Sequence, residues 1–242
     1  MTRWAMVIDH QKCVGCGACI IGCKTENNTP EGIFWSYKIT ETVGTFPNVR
    51  YHYIPTLCNH CDNAPCVRGC PTKALHKTES GITMHDPAKC IGCKYCMFNC
   101  PYGVIYFNWR KPHPEWRSQE VLIEGCTSSA QEMAEKVKGK STPYYNPERE
   151  STLDGIRPKG VVEKCTFCDH RLKKGLLPAC VEACPADARI FGDLNNPSSA
   201  VSRLLGKYRS YRLKEHLGTN PKVFYIRSFN PGAYIQTKGE VS

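Results

Sequence analysis

The stretch "KCIGCKYCMFNCP", Lys89 to Pro101, sets four cysteines in thirteen residues at the spacing C-x2-C-x2-C-x3-C-P. The rest of the chain repeats the device. A first group, "CVGCGACIIGCK", holds Cys13, Cys16, Cys19 and Cys23. A second, "CNHCDNAPCVRGCP", holds Cys58, Cys61, Cys66 and Cys70. The opening stretch supplies Cys90, Cys93, Cys96 and Cys100, and a fourth group, "CTFCDHRLKKGLLPACVEACP", supplies Cys165, Cys168, Cys180 and Cys184. Sixteen of the 17 cysteines therefore sit in tight clusters, whereas a disulfide framework would scatter them. Clustering of this kind points to metal.

Two metals compete. A pair of C-x2-C hooks makes a four-thiolate zinc site, and groups two and four taken alone fit one. In groups one and three the third cysteine of C-x2-C-x2-C has no place in a two-hook ribbon. It suits a four-iron cubane, whose irons lie a few Å apart, so that one loop can reach three of them. In two-cluster ferredoxins the fourth cysteine of this run binds the other cluster. Gly15, Gly17 and Gly92 give these loops a close backbone approach, so that amide N–H groups can aim at sulfur. Pro71, Pro101 and Pro185 fix the turn after the fourth cysteine, and group one departs from that pattern with Lys24.

The chain has 242 residues, 41% hydrophobic and 22% charged, ordinary for a globular protein. Its formal charge of +10 would suggest nucleic acid or an anionic surface. Four thiolate-bound cubanes carry about −8 in the oxidised form, which leaves the body near neutrality. The basic residues then offset buried negative charge, and no helix-turn-helix or base-stacking motif argues for nucleic acid. The longest apolar runs, such as "GVIYF" and "GLLPACV", fall far short of the roughly 18 residues that a membrane helix needs. The N-terminal "MTRWAMVIDHQKC" has neither an apolar signal core nor an Arg-Arg pair, so export is expected to depend on a partner's signal.

The groups are related in pairs. "DHQKCVGCGAC" from Asp9 echoes "DPAKCIGCKYC" from Asp86, and groups two and four share a C-x2-C-D frame that ends in C-P. The order is A, B, A′, B′, a duplication. Each group reads as a cysteine loop followed by a short helix, with strand-like "RWAMVI", "VRYHYI", "GITMH" and "VIYF" between them. The expected fold is α+β: duplicated bacterial two-cluster ferredoxin-like modules with short strands, short helices and long loops. Much of their order is expected to come from ligation. A cysteine-poor insert follows Pro101, and its middle, "EKVKGKSTPYYNPERESTLDG", is polar and rich in helix breakers. The tail carries a helical, basic "SAVSRLLGKYRSYRLKEH" and a strand-like "KVFYIRSF", which fit capping of the body and contact with a partner equally well.

Cys126, in "IEGCTSSA", belongs to no group and reads as a loop thiol. His60 and His170 adjoin cluster cysteines, but each group already has four thiols, so neither is expected to ligate. Trp35, Tyr37, Tyr95, Tyr102 and Trp109 read as packing that keeps water from the clusters. No pterin, flavin or phosphate-loop motif and no nucleophile with a base is present, so no catalytic residue is expected.

The four groups, with "VIDHQKCVGCGAC", "CKTENNTPEGI", "GTFPNVRYHYIPTLCNHCDNAPCV" and "EKCTFCDHRLKKG", closely resemble the electron-transfer subunit of the complex iron-sulfur molybdoenzymes, the DMSO reductase family. Within it they look most like the small subunit of respiratory arsenate reductases, with that of polysulfide reductase next. The resemblance implies four [4Fe-4S] clusters. Cys13, Cys16, Cys19 and Cys184 would hold one, and Cys165, Cys168, Cys180 and Cys23 its neighbour. Cys58, Cys61, Cys66 and Cys100 would hold a third, and Cys90, Cys93, Cys96 and Cys70 the last. Residues 1–57 with 160–192 would then form one module and 58–106 the other, with 107–159 as insert and 193–242 as tail.

The resemblance also implies a chain that is not an enzyme by itself. It would pass single electrons between a large molybdenum-bis-pterin subunit, which alone holds that cofactor, and a membrane quinone-oxidising subunit or cytochrome. The site of action would be the periplasm or outer membrane face, reached by co-export, with the cytoplasm as alternative. Competing readings are the same role beside a polysulfide or thiosulfate subunit, a polyferredoxin of another redox complex, and a zinc-organised interaction module.

Overall fold

The structure is a computed structural model that describes residues 1–110 and 157–228, with residues 125, 128, 129, 132 and 136 between them. Cys126 and most of the insert lie outside the described residues.

The apolar "WAMVID" forms strand β1 (Trp4–Asp9), and Ala5 to Ile8 are completely buried, as expected of an interior strand. One edge of β1 pairs antiparallel with β8 (Arg189–Asp193), Trp4 opposite Asp193 and Ile8 opposite Arg189. Its other edge pairs in parallel with β10 (Val223–Ile226), Met6 opposite Val223, and β9 (Ser210–Tyr211) completes the sheet beside β10. The tail thus contributes strands inside the sheet as well as cover. The helix expected over 199–216 is shorter. Helix α6 (Ala200–Lys207) starts at Ser199, whose hydroxyl accepts from the Ser202 amide. It stops where Tyr208 turns extended and the chain enters β9, because pairing with β10 outweighs the helical pattern of "YRSYRLKEH".

The remaining regular elements are short. A hairpin of β2 (Ser36–Val43) and β3 (Arg50–Leu57) pairs Ser36 with Leu57 and Val43 with Arg50. Strands β4 (Leu75–Lys77) and β5 (Thr83–His85) form a second small pair. Strands β6 (Tyr106–Phe107) and β7 (Val162–Glu163) pair across the insert and close its base. A buried ion pair fixes that base: Arg157 Nε lies 2.9 Å from Glu163 Oε2. The Glu163 carboxylate also accepts from Trp35 Nε1 and Asn108 Nδ2, each at 3.0 Å. With its lone pairs filled, the carboxylate is satisfied in a region that excludes water.

Cysteines lie among the core residues. Ile54, Leu57, Leu75, Ile82, Phe167 and Tyr225 pack with Cys23, Cys58, Cys61, Cys66, Cys96, Cys165 and Cys180 in one cluster. A smaller cluster of Ala5, Val7, Val201 and Ile226 holds α6 against the sheet. Ile226→Ala removes a fully buried side chain from the tail strand and is expected to cost about 2–5 kcal/mol. Thermal unfolding of the metal-loaded protein measures this, with the surface change Leu217→Ala as the nearly silent comparison.

Candidate metal centres

Each cysteine group follows the same local plan. The first two cysteines come before a short helix, the third lies in its opening turn, and the fourth comes at or beyond its end, except in group one, where the helix runs on past Cys23. Helix α1 (Ala18–Asn27) carries Cys19 and Cys23, α2 (Pro65–Arg68) carries Cys66, α3 (Tyr95–Asn99) carries Cys96, and α5 (Ala179–Glu182) carries Cys180. Group four adds α4 (Asp169–Leu172) between its hooks. Gly15 has φ of 70°, and a Cβ there would stand 2.7 Å from the Tyr53 ring. Only glycine permits that loop to lie on that ring. In place of a proline after Cys23, Lys24 lets α1 run on to Asn27, and its ammonium donates to the carbonyls of Pro30 and Ile33, each at 2.9 Å.

The fold brings the thiols together in quartets that cross between groups. Cys13, Cys16, Cys19 and Cys184 line one cavity. Cys58, Cys61, Cys66 and Cys100 line a second, and Cys70, Cys90, Cys93 and Cys96 a third. Cys23, Cys165, Cys168 and Cys180 are all buried, and the first feels the charge of the other three. One amide, Asn27 Nδ2, lies 3.6 Å from Cys23 Sγ and 3.7 Å from Cys168 Sγ.

Neighbouring quartets lie close enough for a charge on one to be felt at the next. Cys180 feels Cys19, and Cys165 feels Cys58. Four-residue steps from Cys66 to Cys70 and from Cys96 to Cys100 join the last two quartets. The row therefore runs from the quartet of Cys16, through those of Cys165 and Cys58, to that of Cys93. Cys16 and Cys93, at its two ends, are exposed. Where the two inner quartets meet, the duplication becomes visible: His60 of "CNHC" and Phe167 of "CTFC" hold equivalent positions and stack with centroids 3.7 Å apart.

All sixteen grouped cysteines are free thiols. Burial pushes Cys23 and Cys165 well above the ordinary thiol range, Cys66 and Cys96 up to about 12, and Cys61 and Cys168 up to about 11. Such thiols become thiolates only when a metal takes the place of their protons. Backbone amides already point at several sulfurs, from Ala188 to Cys184 at 3.2 Å, Phe167 to Cys165 at 3.4 Å and Leu75 to Cys70 at 3.5 Å. At Cys70 the bonds from Leu75 and Thr72 oppose the upward push of burial and bring the thiol below its ordinary value.

Buried cations complete the fit. Arg189, 2% exposed, donates to Ser36 Oγ at 2.8 Å, and its guanidinium also faces the Cys180 thiol. It lines the first cavity, and Cys180 and Cys19 hold it charged against burial. Lys164 is 1% exposed, and so is Lys222, which has the Asp62 carboxylate 3.8 Å away. Cations buried this deeply are destabilising unless an anion lies close by. A cluster bound by four thiolates is such an anion, so the donor set and its surroundings fit four-iron clusters. Among the described residues, no three His, Cys, Asp or Glu side chains gather tightly enough to hold one metal ion. The quartets surround a volume.

Other residues named from sequence separate into two sorts. His60 Nδ1 accepts from the Thr83 amide at 3.1 Å, and His170 Nε2 pairs with Glu26 at 2.5 Å. Trp35, Tyr37 and Tyr102 pack and bond internally, the last through Thr219 Oγ1 at 2.6 Å. Tyr95 and Trp109 differ from expectation: they are 53% and 63% exposed and shield little. Sequence patterns did not single out Arg189, Lys164 or His85, which lines the cavity of Cys93, because no spacing rule marks a side chain that meets its site only through tertiary packing.

Comparison with known proteins follows the same lines. A family model described as a 4Fe-4S dicluster domain matches residues 49–115 and 117–194. The arsenate respiratory reductase iron-sulfur subunit of Shewanella sp. (strain ANA-3) is 56% identical over 94% of this chain and 97% of its own length. One selenate reductase subunit, from Mesobacillus selenatarsenatis, is 40% identical over 93% of this chain and 72% of its own. One tetrathionate reductase subunit, from Salmonella typhimurium, is 36% identical over 93% and 72% respectively.

Metal removal tests the fit. Stripping the protein with a chelator is expected to leave the buried cations uncompensated and to abolish both protease resistance and near-UV dichroism. A metal-free chain that keeps both would show a core that stands without the metal.

Proposed function

The chain belongs to the 4Fe-4S dicluster iron-sulfur subunits of the DMSO reductase family, and from that membership we propose that it carries single electrons between a molybdenum-bis-pterin catalytic subunit and a quinone- or cytochrome-linked partner. The observation that carries this reading is the row of four thiol quartets, closed inside and open at both ends.

On this reading Cys13, Cys16, Cys19 and Cys184 hold the cluster that faces the catalytic subunit. Cys23, Cys165, Cys168 and Cys180 hold the second, and Cys58, Cys61, Cys66 and Cys100 the third. Cys70, Cys90, Cys93 and Cys96 hold the cluster at the far end. Bound four-iron clusters supply one-electron chemistry. The chain's own part is to space them, to exclude water from the inner pair and to balance their charge. Exposed apolar side chains flank both ends, Val14 and Ile21 at the first group and Ile91 and Phe98 at the third, and they suit lasting contact with partner subunits. No helix of the described residues is long and apolar enough to cross a membrane. The complex works at the outer face of the membrane, to which the chain travels with its catalytic subunit, and fractionation of cells tests that placement.

The substrate is recognised by the partner, and the 56% identity to an arsenate reductase subunit supports an arsenic oxyanion. Anaerobic assay of the purified complex with arsenate, selenate, tetrathionate and polysulfide decides among them, and turnover of arsenate above the others is expected. Cys93→Ser is expected to cut quinol- or cytochrome-driven turnover at least tenfold while dye-driven turnover by the catalytic subunit persists. Equal loss of both would contradict electron exchange at that end.

A further inference from the structure

We propose that Lys164 sets the reduction potentials of the two inner clusters, as a fixed positive charge held between them. This rests on the four-cluster reading and adds a residue that no ligand pattern assigns.

Lys164 directly precedes Cys165 of the second quartet, and its side chain is buried. Its ammonium donates to the Cys165 carbonyl at 2.6 Å and to the Thr83 carbonyl. Thr83 lines the cavity of Cys58, Cys61, Cys66 and Cys100. One ammonium therefore touches the walls of both inner sites. Burial drives the Cys165 and Cys66 thiols up, and Lys164 pulls against it at each of them. The Thr83 amide also bonds His60, whose ring stacks on Phe167, so the charge lies in the seam where the two modules meet.

No carboxylate among the described residues forms an ion pair with Lys164. The adjacent Glu163 is taken by Arg157, Trp35 and Asn108. Asp62 pairs with Arg3 and stands 3.8 Å from Lys222. The fold does not demand the charge either: the equivalent position of the duplicate, directly before Cys58, is Leu57, equally buried. A module of this design closes with an aliphatic side chain, and only one copy carries a lysine.

The physical effect has a definite sign. Reduction adds a negative charge, and burial away from water disfavours it, so the inner clusters would otherwise be harder to reduce than the outer ones. A cation between them offsets this. At an effective dielectric near 20, a unit charge within about 10 Å shifts a one-electron equilibrium by roughly tenfold or more. Lys77 and Lys222 lie farther along the same seam and add to the effect at the third quartet. Lys77 donates to the His60 carbonyl at 3.2 Å, and Lys222 donates to that of Gly81.

The test is a redox titration, followed by electron paramagnetic resonance, of the anaerobic complex carrying the wild-type chain, Lys164→Gln, Lys164→Arg or the exposed control Lys12→Gln. All are expected to keep full iron. Lys164→Gln is expected to lower two of the four midpoints by about tenfold in the reduced-to-oxidised ratio, ~59 mV for a one-electron couple. Lys164→Arg and Lys12→Gln should move none. Full iron with unmoved midpoints in Lys164→Gln would overturn the proposal. Lys164→Leu, which copies the duplicate, is the second variant, and if neither neutral variant holds iron the residue is structural and the proposal falls. A wild-type chain without four clusters would overturn the underlying reading instead.

Discussion

Each thiol quartet is completed from another part of the chain, and the rest of the structure depends on that exchange. Cys184 closes the cavity of Cys13, Cys16 and Cys19 across more than half the sequence, and Cys23 returns to the set of Cys165, Cys168 and Cys180. Long-range closure of this kind opposes folding through lost chain entropy. Metal ligation and the cysteine-rich core offset it together, which is why strands of two or three residues suffice at β4 to β7. The continuous sheet of β8, β1, β10 and β9 lies beside the first quartet, and Arg189 and Ala188 reach that cavity from the start of β8.

Electrostatics follows from the same closure. Buried thiols such as Cys23, Cys66, Cys96 and Cys165 are pushed toward their protonated form, and the chain buries Arg189, Lys164 and Lys222 among the cysteines. The formal charge of +10 is therefore partly an interior property and says little about what the surface binds. Exposure is graded along the row: Cys16 and Cys93 at the ends are exposed, and the cysteines of the two inner quartets are buried except for the half-buried Cys100. A conductor with insulated middle and open ends needs both features.

The cysteine runs made the metal chemistry and the duplication legible because ligand spacing is a local property, written within about twenty residues. β1 and β10 were legible from "RWAMVI" and "KVFYI", since interior strands need continuous apolar side chains. The shortened α6 was not, because its end is set by the pairing of β9 with β10, fourteen to sixteen residues further along the chain. The sequence called for basic residues that offset buried negative charge, but only packing singles out Lys164 and Arg189 as the ones beside the cysteines. Trp109 and Tyr95 erred in the other direction: an aromatic beside a cysteine loop carries no mark of which side it faces. The insert's polar composition concerns residues outside those described.

Four four-iron clusters, one in each quartet, are what we propose fills the row. Iron, acid-labile sulfide and zinc per chain, measured with the Mössbauer spectrum of protein isolated without oxygen, decide the matter. Roughly sixteen irons and sixteen sulfides with the signature of four-iron clusters are predicted. About four zincs with little iron and no sulfide would contradict it.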